Sequence, residues 1–357
     1  MPDVMYVMSG LGRGGAENML VQLAAGLRAR GLTQQVVSLS ALDAFAGDLR
    51  AAGVDVTVLN AQSPLSRVGA MARLLRLVER HRPRILQGWM YNGNIAATLA
   101  HYLCPGRRER KLFWNLRASN MDEARYGRVI RLSALLSRLP DLVIANSQAG
   151  AAFHRARGFR PHRLNVVDNG IDTRRFRSEP IMRKQVRTEL GIAHGARLVI
   201  HVARVDSMKD QATFLAAMAR LPTVAGIMVG DGTDALSLPP NVRALGLRRD
   251  TERCYAAADI LASSSAFGEG FSNVIAEGMS AGLVPVATDV GDARRIVGEA
   301  GFIVPPRDPE ALARALGEAA ALPRDEFAQR AAAARARILA NFSLETAIER
   351  YRQLYSA

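Results

Sequence analysis

The chain has 357 residues, 49% hydrophobic and 22% charged, a composition that excludes disorder and a length that allows two domains with separate cores. No apolar run approaches the ~18 residues that span a bilayer, and the N-terminus enters a strand without a basic and apolar leader. The net charge of +14 divides unevenly: residues 1–178 carry 26 Lys+Arg and 12 Asp+Glu, whereas residues 179–357 carry 21 of each.

The excess arginines cluster at Arg73–Arg84, Arg107–Lys111 and Arg125–Arg138, with Leu, Val and Ile interleaved. A basic face on the first half predicts an anionic partner. Sparse aromatics and the lack of a nucleic-acid-binding module favour a membrane surface over nucleic acid. The two distant cysteines, Cys104 and Cys254, read as reduced thiols of a cytoplasmic protein. No two of the six histidines stand at metal-ligand spacing, so no metal is expected.

Apolar strand segments alternate with helical ones along nearly the whole chain: MYVM, QQVVSLS, VDVTVL, RILQGW, KLFWNL, DLVIA and LNVV, then RLVIHVA, VAGIMVG, NVRALG, DILAS, VPVAT and FIVP. Such alternation predicts parallel sheets covered by helices. The pattern restarts, since MYVMSGLGRGGAE and LVIHVARVDSMKD each read as strand, polar loop and helix. We therefore expect an α/β fold of two Rossmann-like, doubly wound domains, residues 1–176 and 177–357. Their join lies in NGIDTRRFRSEP, which has turn residues, charge and no apolar periodicity. Ligands of such sheets bind beyond the carboxyl ends of the strands, and two facing domains would make a cleft.

Taken in order, the loop SGLGRGGAENML holds Gly-x-Gly-x-x-Gly at Gly10, Gly12 and Gly15. It is compatible with a dinucleotide, for which Asp43 is the near acid, with a bare strand-to-helix turn, or with main-chain amides at Gly14 and Gly15 that meet a diphosphate. In FWNLRASNMD, Arg117 reads either as a site residue or as a solvated surface arginine. In HVARVDSMKDQATFLAAM, Arg204 ends a strand and Lys209 follows five residues on, before a helix. Two cations there suit a diphosphate or a surface. The densest stretch is FGEGFSNVIAEGMSAGLVPVATDVGDARRIV. Glu269 lies in a Gly-flanked turn, Ser272 or Asn273 can cap the next helix, and Glu277 falls about a turn inside it. A helix mouth of this kind binds anions or sugar oxygens through unpaired amides.

That last stretch, Glu-x7-Glu with Gly-Phe after the first Glu and a Pro-Val-Ala-Thr strand following, resembles the donor-binding signature of retaining glycosyltransferases of the GT-B fold, family 4 (glycosyl transferases group 1). The likeness covers almost the whole chain. It includes Gly-Gly-Ala-Glu in the first loop, Asn-Gly-Ile-Asp at the join (with Asp168 where Pro is usual), and the Arg204 and Lys209 spacing. The resemblance implies a nucleotide-diphosphate sugar as donor substrate, with neither cofactor nor metal. It makes Glu277 the ribose ligand and has Glu269, with Gly270, Phe271, Ser272 and Asn273, hold the sugar. It places Arg204 and Lys209 on the phosphates, Leu245–Leu247 (Leu247 above all) near the base, and Gly14 and Gly15 on the diphosphate. Glu269, Arg204 and Lys209 are thus the catalytic candidates.

The resemblance also implies a C-terminal helix that crosses back to the first domain; here LETAIERYRQLY carries an Ile348, Tyr351 and Leu354 stripe. The expected acceptor is a glycan or lipid-linked precursor of a surface polysaccharide, reached by a peripheral protein at the inner face of the membrane. One departure stands out: a histidine common in the family's first-domain loop falls on Ala118. Alternatives are a nucleotide-sugar epimerase of the same fold, an NAD-dependent dehydrogenase built on the Gly10–Gly15 loop, and an inactive sugar-nucleotide sensor.

Overall fold

The computed structural model describes residues 1–12, 14–117, 123–193 and 195–356. The chain forms two compact units, Met1–Gly170 with Leu344–Ala357, and Ile171–Ser343. The division between Gly170 and Ile171 falls inside the join segment read from the sequence.

The first unit holds seven strands: β1 (Val4–Met8), β2 (Gln34–Ser38), β3 (Asp55–Val58), β4 (Ile85–Trp89), β5 (Lys111–Leu116), β6 (Leu142–Ala145) and β7 (Leu164–Val166). All pair in parallel, in the order β3-β2-β1-β4-β5-β6-β7. β1, β2 and β4 are buried along their whole length; β1 reads as an unbroken apolar run, while β2 buries Gln34, Gln35 and Ser38 and β4 buries Gln87. The strand order reverses between β1 and β4. Helix Gly15–Arg28 therefore shares one core with β1 and β4, while Pro64–His81, Met90–Leu103 and Glu123–Leu136 contribute to the core on the other face.

The last helix, Leu344–Ser356, belongs to this first unit, as the resemblance implied. It buries Ala347, Ile348, Tyr351 and Tyr355 in the core that contains Tyr6, Trp89 and Phe113. Tyr355 donates to Gln87 Oε1 at 2.5 Å, and Asn115 Nδ2 donates to the Tyr351 hydroxyl at 2.6 Å. Gly26 makes the room, for a Cβ there would sit 2.1 Å from Ile348 Cδ1.

The second unit has six strands: β8 (Leu198–Val202), β9 (Ala225–Val229), β10 (Val242–Ala244), β11 (Ile260–Ser263), β12 (Val284–Thr288) and β13 (Phe302–Val304). They too are parallel, in the order β10-β9-β8-β11-β12-β13. Here the order reverses between β8 and β11, the topological switch point at which open α/β sheets bind ligands. Both stretches singled out in this half leave the sheet at that point.

Candidate functional site

β8 runs out into residues 203–210 before helix Gln211–Ala219, and β11 into residues 264–272 before helix Asn273–Ser280. The two loops are fastened to each other. Ala266 donates its N–H to the Met208 carbonyl at 2.8 Å, and Ser264 Oγ donates to the carbonyls of Lys209 and Asp210 at 2.8 and 3.0 Å. His201, stacked on Phe214 at 4.7 Å, lies 3.1 Å from Ser264 Oγ. Burial pushes its imidazole down to about 3, so it is a neutral supporting group.

Two glycines close the turn around Glu269. Gly268 has φ +80 and packs on the Met208 thioether. Gly291 has φ +63, and a Cβ on it would lie 2.5 Å and 2.7 Å from the carbonyl oxygens of Glu269 and Gly270. Only glycine combines that backbone with that approach.

Side chains then converge. Lys209 Nζ makes a tight ion pair with Glu269 Oε1, and Ser265 Oγ donates to the same oxygen at 2.8 Å. The two side chains are 22% and 11% exposed, so water screens the pair only weakly. Arg204 is not brought into this group. It is 69% exposed, and its Nε and Nη2 hold Asp206 Oδ2 at 3.1 and 2.8 Å. The Met208 N–H and that guanidinium hold the Asp206 carboxyl below its usual range.

Glu277 is the fifth residue of helix Asn273–Ser280. Tyr255, from helix Thr251–Ala257, donates to its Oε2 at 3.1 Å. Burial raises the Glu277 carboxyl to about 7; the Tyr255 hydrogen bond and the charge of Arg175 act against the rise, and Glu252 adds to it. Arg175 itself is paired with Glu252 at 2.8 Å. Neither Tyr255 nor Arg175 stood out in the sequence, because Tyr255 sits at ordinary core spacing in RCYAAAD and Arg175 is one arginine among several at the join.

One expectation for this stretch needs correction. Ser272 takes the N-cap position, yet its hydroxyl makes no capping bond, and Asn273 is the first helical residue rather than the cap. The helix mouth is thus left without a side-chain cap. Phe271 is buried against Phe342, 5.4 Å between ring centroids, so only its main chain can serve a ligand. Leu247 is 72% exposed on the loop after β10, where Gly230 donates its N–H to the Gly246 carbonyl at 2.8 Å.

In the first unit, Gly14 is the extended N-cap of helix Gly15–Arg28. Glu17 folds back over it, its Oε2 2.3 Å from where a Cβ on Gly14 would be. Burial raises the Glu17 carboxyl, while its own N–H lowers it. Arg117 is neither solvated nor a loose site cation. It donates to Asn115 Oδ1 at 2.9 Å, to Asn169 Oδ1 at 2.8 Å and to the Tyr351 hydroxyl at 3.1 Å, with its guanidinium 4.2 Å from the Trp89 ring centroid. It ties the last helix to β5. Ala118 lies outside the described residues. Among the described residues, no group of three or more His, Cys, Asp and Glu could hold a metal ion.

Two family models match the chain. Residues 13–175 match "Glycosyltransferase Family 4", and residues 196–321 match "Glycosyl transferases group 1". The chain is 32% identical over 165 residues to a phosphatidyl-myo-inositol mannosyltransferase of Mycolicibacterium smegmatis, covering 42% of this chain and 41% of that one. It is 32% identical over 189 residues to a D-inositol 3-phosphate glycosyltransferase of Mycolicibacterium gilvum, covering 48% and 42%. The matched stretch thus spans less than half of each of these relatives. Among solved structures, HepE of Anabaena in complex with UDP superposes with a TM-score of 0.87 at 25% identity over 99% of both chains. The same protein in complex with UDP-glucose gives 0.85 over the whole of both.

Proposed function

Because the chain belongs to the GT-B glycosyltransferases, a family 4 domain followed by a group 1 domain, we propose that it moves a sugar from a nucleotide-diphosphate donor to a lipid-linked or surface-polysaccharide acceptor, with retention at the anomeric carbon and without a metal. The observation that carries this reading is the Lys209–Glu269 pair at the switch point of the second sheet, beside a helix mouth whose fifth residue is Glu277. HepE was crystallised with UDP and UDP-glucose, and the mycobacterial relatives are named for inositol-bearing substrates; both support a nucleotide-sugar donor and a lipid-linked acceptor here.

In this reading the bond between the anomeric carbon and the donor's diphosphate breaks. The acceptor oxygen bonds that carbon on the same face, and its proton passes to a diphosphate oxygen. A diphosphate beside Lys209 competes with Glu269 for the ammonium and frees the carboxylate for the sugar's hydroxyls and the developing positive charge. Arg204, 69% exposed on the same loop as Lys209, exchanges Asp206 for a phosphate. The amides leading into helix Asn273–Ser280, from Gly270 through Asn273, meet the sugar and the leaving group, and Glu277 accepts from the ribose. These charges are preorganised where negative charge develops, which is the stabilisation a divalent ion supplies in other transferases. Leu247 and its neighbours lie against the base. The anionic membrane at which a lipid-linked acceptor resides suits the basic first half of the chain.

The test is a panel of nucleotide-sugars incubated with the protein in excess chelator, with and without lipid-linked acceptors. Release of nucleoside diphosphate, and product with the donor's anomeric configuration by NMR, is the expected result. Inverted product, dependence on added metal, or no turnover of any donor would each remove the corresponding part of the proposal. Lys209→Ala should lower the turnover of the folded protein by on the order of a hundredfold, the usual size for one preorganised charge.

A further inference from the structure

We propose that the first unit docks on an anionic lipid bilayer through one patch at the carboxyl ends of two neighbouring helices, where leucines enter the hydrocarbon boundary within a ring of arginines. The proposal rests on the reading of a membrane-borne acceptor and names the surface that reaches it. Helices Met90–Leu103 and Glu123–Leu136 follow β4 and β5, which are neighbours in a parallel sheet, so the helices run in the same direction and end at the same edge. Their inner faces are occupied: Ala96, Ala97, Ala100 and Ile130 are in the core.

The outer faces carry a second apolar stripe at helical spacing, Leu99, Tyr102 and Leu103 on one helix and Leu132 and Leu135 on the other, with Leu139 just beyond. Leu135 is 80% exposed and Leu103 65%. Large aliphatic groups so exposed, grouped on two adjoining helices, mark an interaction site rather than ordinary surface.

The charges around the stripe choose the occupant. Arg107, Arg108, Arg128, Arg131 and Arg138 are all exposed at these helices or just past them, and Arg107 lies over the Tyr102 ring, 5.4 Å from its centroid. Of the four carboxylates in this stretch, Asp122 precedes the second helix in sequence and Glu123 begins it, away from its carboxyl end, and Asp141 accepts the Leu112 N–H at 2.7 Å, which leaves Glu109. A second copy docked on the same patch would set these arginines against their own images. An anionic bilayer meets both features at once, since arginine stems lie along apolar surface while their heads reach lipid phosphates, and a tyrosine suits the interface.

A different cluster has its exposed apolar residues, Leu65 and Val68, on the first turn of the same helix, Pro64–His81, away from its arginines. Arg73, Arg76 and Arg80, with Thr57 and Leu77, line an open groove of about 410 Å³.

The full-length Leu135→Trp variant provides the probe, because the native Trp89 and Trp114 are both buried. On vesicles mixing zwitterionic and anionic lipid, its emission should shift to the blue and be quenched by brominated acyl chains. Purely zwitterionic vesicles should give neither change. The Leu103→Glu/Leu135→Glu double variant should bind mixed vesicles at least tenfold more weakly, yet release nucleoside diphosphate from a soluble donor at the wild-type rate and melt at the wild-type temperature. Arg73→Glu/Arg80→Glu should weaken binding less. The proposal is overturned if Leu135→Trp binds vesicles with unchanged emission, if the leucine double variant binds like wild type, or if the blue shift appears without lipid as protein concentration rises. Donor cleavage is read separately, so loss of docking and loss of the glycosyltransferase reading are distinguishable.

Discussion

Glu269 lies in a turn and Glu277 in the helix that follows it, and their surroundings differ. Glu269 is held by an ammonium and a hydroxyl, Lys209 and Ser265; Glu277, which among the described residues has the phenol of Tyr255 as its side-chain hydrogen-bond donor, is raised by burial to about 7. With a folded-state value near 7 against the usual 4.5, folded protein binds the extra proton between these pH values. Stability therefore falls as pH climbs from about 4.5 to 7, by up to about 3 kcal/mol from this group, and Glu277→Gln should flatten that slope in denaturant titrations. Ribose hydroxyls donate to the charged form, so nucleoside diphosphate affinity should rise through pH 7 in the wild-type protein beyond the rise due to the ligand's own phosphate ionisation. The same titration on Glu277→Gln isolates that ligand contribution; identical pH profiles would refute ribose recognition by Glu277. Glu269→Gln should leave bare nucleotide affinity nearly unchanged while turnover falls, whereas Glu277→Gln should weaken bare nucleotide and sugar-nucleotide alike by ~1.5–3 kcal/mol. Calorimetry with both ligands separates these roles, and an equal loss of nucleotide affinity in the two variants would contradict them.

At the scale of elements, the turn that carries Glu269 depends on the backbone of another turn, residues 288–292 after β12. Gly291→Ala forces a left-handed residue to place a methyl 2.5 Å from the Glu269 carbonyl and 2.7 Å from that of Gly270. Gly282→Ala shares the positive φ, +84, but has nothing within 4 Å. The first should cost several kcal/mol or displace the Glu269 turn with loss of donor affinity; the second should cost about 1 kcal/mol and keep activity. Equal effects of the two in melting and turnover assays would mean the close approach does not matter. All thirteen strands among the described residues were legible in the sequence because each carries β-branched or other apolar residues between turn residues, even where, as in β3, β7 and β10, the strand is only partly buried. The Glu269 and Glu277 stretch was legible because its glycines and helix-forming spacing put both acids at one helix mouth. The cap was not. Ser272 obeys the residue preference for an N-cap but makes no side-chain capping bond, in a loop held by Met208, Gly291 and Asp292 from far off in sequence. Phe271 likewise reads as part of a binding loop, while its ring fills the core beside Phe342; Tyr255 reads as core, while its hydroxyl reaches Glu277.

At the scale of the molecule, chain order and folding unit do not coincide. Residues 344–357 complete the first unit, so a fragment ending near residue 176 lacks the side chains that cover β1, β4 and β5. The unit's charge is unaffected by their return, since Glu345 and Glu349 balance Arg350 and Arg352; it carries +12, against +2 for Ile171–Ser343. What the helix adds is buried surface and hydrogen bonds. Tyr351 meets Asn115 and Arg117, Tyr355 meets Gln87, and Arg84 Nη2 donates to the Tyr355 carbonyl at 2.7 Å. Removing Tyr355 exposes Tyr6, 6.5 Å from it between ring centroids, and leaves Gln87 Oε1 without its donor. The single change Ile348→Ala should cost ~2–5 kcal/mol, enough to move the first unit's unfolding by roughly 4 °C or more while leaving the second unit's transition in place. A chain cut after Ser343 should lose the first unit's cooperative transition altogether, because it forfeits Ile348, Tyr351 and Tyr355 together. Adding residues 344–356 back as a separate peptide should restore protection of β1 and β4 amides in hydrogen exchange. If the cut chain instead melts in two transitions at wild-type temperatures, the last helix is an accessory on the first unit's surface.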